Sequence, residues 1–492
     1  MPVARFARIA CLGAVLAPTL GLCPLHVLAA QDLLTYHANY DLATPSIIHV
    51  SMTFPSPAAA PVTLVMPRTI PGGYAQRPYD PFVTNVHASS ANNTSQEVHR
   101  EKLGPRWAIG KSGDRVRQID YDVDVARMER EILAASDSSK IRPGYAGLLG
   151  YSIFAYVDEH TNELLTLRLS APQDWPVFST LDPHVPPAIS TIIVRASNYY
   201  ALADSQIVMG PKAQLSKIDG APPLFICAYA ESRADIKQEA ELARDALDKV
   251  TAYFGKAPFT HYSVILEFLK PLTDRHQYNF SMEHLDSGTF YFDTNFALAP
   301  GASEEQRSMH LGNYAHHIAH SWIPKRAYGE NYLPFRWEMT PVLETIWFNE
   351  GFGRYISIQA LADAMPAAEG TRYRKEELDW LQSVVDAAPP FLRHMSLAEL
   401  SREGSFLYAD DFRTGMNLFS RGALMAAEMD DAIRAQTNGQ KSLRDALRHL
   451  IAWTSKHHRA FRVEELPQIF REATGVDTSV ILNRHLQPLA VQ

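Results

Sequence analysis

The sequence predicts an α+β multidomain protein: a β-sandwich-like N-terminal domain, a mixed α+β central domain and a helical C-terminal domain. Three observations carry this. Between residues 31 and 195, apolar side chains recur with a period of two. From about residue 230 the apolar spacing lengthens to that of a helix. At 492 residues the chain is too long for one ordinary core and long enough for two or three. The expected divisions are 31–195, 196–365 and 366–492, after a targeting segment at 1–30.

That targeting segment reads as a cleaved signal peptide. Arg5 and Arg8 give a positive start, residues 9–28 are mostly apolar, and Val27, Leu28, Ala29 and Ala30 form a small-residue exit. Pro18 and Pro24 argue against an anchoring helix. Cleavage removes Cys11 and Cys23, so Cys227 is left alone and no internal disulfide can form. The protein is expected to be exported, periplasmic or secreted, with no stable membrane span. Its 46% hydrophobic and 20% charged content is that of a soluble globular chain. A net charge of −8 without a basic cluster argues against nucleic acid or an anionic membrane as partner.

The elements follow in order. Ile48, Val50, Met52 and Phe54 alternate with small or polar residues, as do Ile119, Tyr121, Val123 and Val125, and then Leu165, Leu167 and Leu169. Ile236, Ala240, Ala243, Leu247, Val250 and Phe254 form a helical stripe that Gly255 and Pro258 stop. Strands are expected at 262–269 and 288–293. Ser303 and Gln306 have capping-box spacing and open the next helix, which Pro324 closes. A further helix is expected from Thr340-Pro341, as cap and first helical residue, to about Ala364. Helical periodicity then runs to the C-terminus, with Cys227 expected in the core.

Chemistry concentrates at 313–322, NYAHHIAHSW. On a helix His316 and His320 project about 40° apart, so both imidazoles reach one ion. Zinc needs at least a third protein ligand. Trp347-Phe348-Asn349-Glu350-Gly351-Phe352 offers Glu350, 30 residues after His320, and completes a His₂Glu set for one zinc ion. In the metalloprotease pattern H-E-x-x-H the second position is the catalytic glutamate; here it is His317.

These residues, with Lys325-Arg326, resemble the glycyl aminopeptidase family of gluzincin zinc metallopeptidases. Met66-Pro67-Arg68-Thr69-Ile70-Pro71-Gly72-Gly73-Tyr74 is similar to that family's N-terminal loop. Met282-Glu283-His284-Leu285-Asp286-Ser287 is similar to its G-G-x-E-H-x-x-S strand, and Phe419 to Leu424 with Thr437 to Leu443 to its C-terminal helical segment. The PDZ module of many members has no counterpart. The resemblance implies a thermolysin-like catalytic domain with His316, His320 and Glu350 as zinc ligands. It also implies that Glu283 receives the α-amino group of a peptide or protein N-terminus.

Three departures bear on activity. His317 replaces the base, and a positioned base is worth ~10²–10⁴ in rate. Leu418 and Phe419 stand where the family has tyrosines, and losing an oxyanion donor costs ~10²–10³; Tyr408 can substitute only if the fold brings it to the cleft. Phe280 and Ser281 replace the two glycines before Glu283, which narrows or re-aims the substrate groove. Three readings follow: a zinc aminopeptidase with His317 as makeshift base and weak or altered catalysis; a non-catalytic pseudo-peptidase that keeps zinc and binds peptides; or a structural zinc site closed by a fourth side chain such as His317.

Overall fold

Alternating side chains build the N-terminal half as expected. A computed structural model describes residues 33–184, 189–408 and 410–489; the signal segment expected at 1–30, with its cleavage site, lies outside them. A six-stranded sheet runs in spatial order Thr191–Ala196, Leu165–Ser170, Leu34–Tyr40, Ile47–Ala59, Arg115–Asp124 and Val83–Ser89. Ile48, Val50, Met52 and Phe54 point inward, opposite Ile119, Tyr121 and Val123 of the neighbouring strand. Two four-stranded sheets complete this β region. The strand Gln206–Met209 pairs with Tyr145–Leu149 and Val177–Ser179 in one of them.

A five-stranded sheet follows, in the order Gln214–Ile218, Leu224–Ala230, Tyr262–Leu269, Ser287–Asp293, Phe280–Glu283. It forms a wall between two cores. Phe225, Cys227 and Tyr229 pack toward the β region, whereas Leu224, Ile226 and Ala228 pack toward the helices. Burial on both faces explains why the three central strands, Leu224–Ala230, Tyr262–Leu269 and Ser287–Asp293, read as continuous apolar runs. Phe280–Glu283 is an edge strand, antiparallel to its neighbour.

Helices cover the second face and continue to the C-terminus. Ile236–Phe254 ends at Gly255, whose φ of 88° supplies the left-handed cap that its position suggested. Glu304–Ala319 starts in the capping box of Ser303 and Gln306 and ends at His320, before Pro324 is reached. The helix expected from Thr340 begins later. Thr340 donates its N–H and hydroxyl to Gln76 Oε1 at 3.0 and 3.1 Å, and Leu343 N donates to Ser405 Oγ at 2.9 Å. With the Thr340 hydroxyl engaged by another loop it caps nothing, and 340–345 stays extended or bent. A π-helical segment, Trp347–Phe352, then leads into the α-helix Gly353–Asp363. The long helix Phe412–Gln436 crosses that segment. Among the described residues no helix is long and apolar enough to cross a membrane.

Candidate metal centre

His316 and His320 lie one turn apart at the end of Glu304–Ala319, with their Nε2 atoms 3.1 Å apart. Glu350 Oε2 lies 3.5 Å from each of them. Ligands around a tetrahedral zinc at ~2.0–2.2 Å stand about 3.3–3.6 Å from one another; both histidine–glutamate edges fall in that range, and the 3.1 Å between the histidines is slightly shorter. The electrostatics of the set favour a positive charge at its centre. Burial and the neighbouring His320 push His316 down to about 3, leaving its lone pair free. Burial opposes charge on His320, yet Glu283 and Glu350 raise it to about 9. Burial would raise Glu350, but His320 and His316 hold it well below its usual range. The carboxylates thus centre a negative potential where a cation fits.

Neighbours fix the ligands. His320 Nδ1 donates to the Ile323 carbonyl at 2.9 Å, which turns Nε2 toward the site. Tyr74 donates its hydroxyl to Glu350 Oε1 at 2.8 Å and accepts from Asn349 Nδ2 at 3.1 Å. His316 Nδ1 is buried without a partner among the described residues.

Glu350 sits in the π-helical segment, a wide turn of the kind often found at functional sites. Its backbone is set by close packing: a Cβ on Gly422 would lie 2.1 Å from the Trp347 carbonyl oxygen, and one on Gly351 would lie 2.4 Å from Gly422 Cα.

Glu283, at the end of the edge strand, is buried beside the triad. Its carboxylate oxygen, His320 nitrogen and Glu350 oxygen all lie within 4.8 Å of one another. His317 Nδ1 is 3.7 Å from Glu283 Oε2, and the ring packs edge-on against Phe290. The nitrogens of His316, His317 and His320 also fall within 4.8 Å. All five residues singled out in the sequence therefore meet in one place. Glu283 Oε1 has no partner among the described residues, and Gly72, at φ 93°, brings its backbone so close that a Cβ would stand 2.4 Å from that oxygen.

The site opens into a cleft of about 1040 Å³. Tyr408, held in reserve by the sequence, is in it: its hydroxyl reaches 3.5 Å from Glu350 Oε2 and its ring packs on Tyr74. Burial and then Glu350 push the Tyr408 hydroxyl well above its usual pKa, so it stays a donor. Leu418 is buried in the core, and Phe419 faces the cleft 5.2 Å from the His316 ring. Ser281 Oγ accepts from Asn313 Nδ2 at 3.1 Å, which ties the edge strand to the histidine helix. In the sequence Tyr74 stands out only as the tyrosine that follows Gly72-Gly73 in a loop, which is the one local signal of its role.

Residues 35–211 match the family model described as the peptidase M61 N-terminal domain. No curated protein sequence matches the chain. The fold is shared with an aminopeptidase N family protein from Idiomarina loihiensis, with a TM-score of 0.79 at 20% identity over 94% of this chain and 77% of that one. It is also shared with a glutamate-to-alanine variant of an M1 zinc metallopeptidase from Deinococcus radiodurans, bound to a Tyr-Ser-Ala substrate. There the TM-score is 0.52 at 12% identity, over 94% of this chain and 95% of the other. The α+β fold is therefore that of aminopeptidase-type structures, and its N-terminal part matches a peptidase-family domain.

Proposed function

We propose that the protein is an exported zinc metallopeptidase of the glycyl aminopeptidase type, with altered catalysis. The observation that carries this is Glu283 beside the triad, its Oε1 unpaired. In a peptide only two bonds of ~1.5 Å separate the α-nitrogen from the first carbonyl carbon. An ammonium held on Glu283 therefore brings the first peptide bond, and no later one, to His316, His320 and Glu350. This arrangement supports an exopeptidase acting from the N-terminus.

Zinc bound by those three residues supplies Lewis acidity, polarising a carbonyl and acidifying water. The chain's own groups do the rest. Glu283 orients the amine, and Tyr408 donates toward the oxygen that gains charge, a role Leu418 and Phe419 cannot fill. His317 occupies the base position, with Glu283 beside its Nδ1. That same contact favours the second reading, a non-catalytic site that binds peptide N-termini, because it engages Glu283 and His317 with each other.

The deciding experiment is metal analysis of purified protein followed by aminopeptidase assays. One zinc per chain is expected, lost in Glu350→Ala. Turnover in the wild type that His317→Ala abolishes supports a histidine base. An inactive wild type that gains ~10²–10⁴ in rate on His317→Glu places the defect at the base. Zinc and peptide binding without cleavage in either protein supports the binding role. Protein without zinc overturns both readings.

A further inference from the structure

The cleft wall beside the triad has a chemistry of its own. Met309, Gly312, Asn313 and His316 are spaced to share one face of the histidine helix. Across from them Phe412, Met416 and Phe419 share one face of the helix Phe412–Gln436. Phe280, where glycine was expected, meets Phe412 edge-to-face at 6.2 Å and closes one end. Phe412 and Met309 are 44% and 52% exposed, so this apolar wall is not packed against the rest of the protein.

Gly312 is the decisive residue. A glycine inside a helix costs up to ~1 kcal/mol relative to alanine, and tight packing usually explains one. Here the sole neighbour an added Cβ would meet is Arg354 Nη1, at an ordinary 3.7 Å. Packing does not demand the glycine, yet it lies one turn from His316 and keeps the cleft floor open.

Resting on the zinc aminopeptidase reading above, and departing from a glycine preference because Phe280 replaces the family's glycine, we infer that the cleft is a pocket for a bulky apolar side chain. The ligand class is a peptide whose free N-terminal residue is aromatic or large aliphatic, such as phenylalanine or leucine. The amine is held at Glu283, and the side chain lies over Gly312 between the Met309 and Met416–Phe419 walls. Methionines suit such a pocket because they adapt to rings and branched chains alike. Charge agrees: among the described residues Glu283 Oε1 has no partner, and Glu305 and Asp293, which also line the cleft, form no ion pair, whereas Arg354 is already paired with Glu377. This setting favours an amine over a carboxylate.

The test is calorimetric titration of zinc-loaded protein with the hydroxamates of phenylalanine, leucine and glycine, which requires no turnover. Wild type should bind the first two at least ~10-fold more tightly than the glycine compound, the gain expected for burying one large side chain. Gly312→Leu should erase that preference while leaving the glycine compound within about 3-fold of wild type. Met416→Ala, at a half-exposed position that tolerates change, should weaken phenylalanine hydroxamate by ~3–10-fold and glycine hydroxamate not at all. Equal wild-type affinity for all three, or a preference unmoved by both variants, overturns the pocket but leaves the metal reading standing. Failure of every hydroxamate to bind to the zinc-loaded protein overturns the aminopeptidase-type reading and the pocket with it.

Discussion

Tyr74 holds the ligand Glu350 from outside the helices that carry the triad. It reaches Glu350 across 276 positions of sequence, from a loop where its φ is 41°. Burial, with Glu350 and Glu283 nearby, keeps its pKa well above the usual value, so the hydroxyl remains a donor. Tyr74→Phe keeps the ring and loses only this donor. Zinc affinity should fall ~10–100-fold, as for other partners of metal-bound side chains, while the folded state persists. Competition with a chromogenic chelator measures it, and unchanged affinity would deny Tyr74 the role. The contrast with the triad shows what sequence can carry. His316 and His320 are legible because helix geometry alone fixes their separation, and Glu350 because it stands in a recognisable segment of the next helix. Tyr74 and Tyr408 are joined to the site by tertiary packing, so no local spacing announces them.

The elements around the site were legible where backbone chemistry is local. Gly255 and the Ser303–Gln306 box act within their own turns, and both helices they delimit are present. Thr340 was misleading because its hydroxyl bonds Gln76, a residue from another part of the chain. The π-helical segment was equally invisible, since it answers to the helix that crosses it. There Gly422 and Gly351 let two backbones touch, and that contact sets the height of Glu350 above the histidines. Gly422→Ala would place a methyl group 2.1 Å from the Trp347 carbonyl oxygen. Overpacking of this kind costs ~1–3 kcal/mol or more, despite alanine's better helix propensity. A lower midpoint in urea, together with weaker zinc binding, is the expected result. A protein as stable as wild type would show that the crossing yields without strain.

At the scale of the whole molecule, a buried ionic cluster joins the parts that build the site. Lys325, 4% exposed and just beyond the histidine helix, donates to the Pro71 carbonyl at 3.3 Å and lies 3.7 Å from Asp204. Pro71 belongs to the loop that carries Tyr74. Asp204 also accepts from His284 Nδ1 at 3.0 Å and Leu285 N at 2.7 Å, immediately after Glu283 on the edge strand. One lysine therefore links the loop, the strand and the helix that present Tyr74, Glu283 and His320. Burial alone would lower its pKa, but Asp204 and its other neighbours raise it well above the usual value. A raised lysine pKa stabilises the fold below the unfolded value of ~10.4 and loses that contribution only as pH climbs past it. The lysine's own contribution is accordingly constant through neutral pH. Lys325→Met leaves Asp204 buried and without its cation, a change that costs ~3–5 kcal/mol. Urea unfolding should report that loss with an unchanged slope. Adding Asp204→Asn to Lys325→Met should restore part of it, because most of the penalty belongs to the stranded carboxylate. A double variant as unstable as the sum of the two singles would refute the coupling, and with it the claim that this ion pair holds the three parts of the site in register.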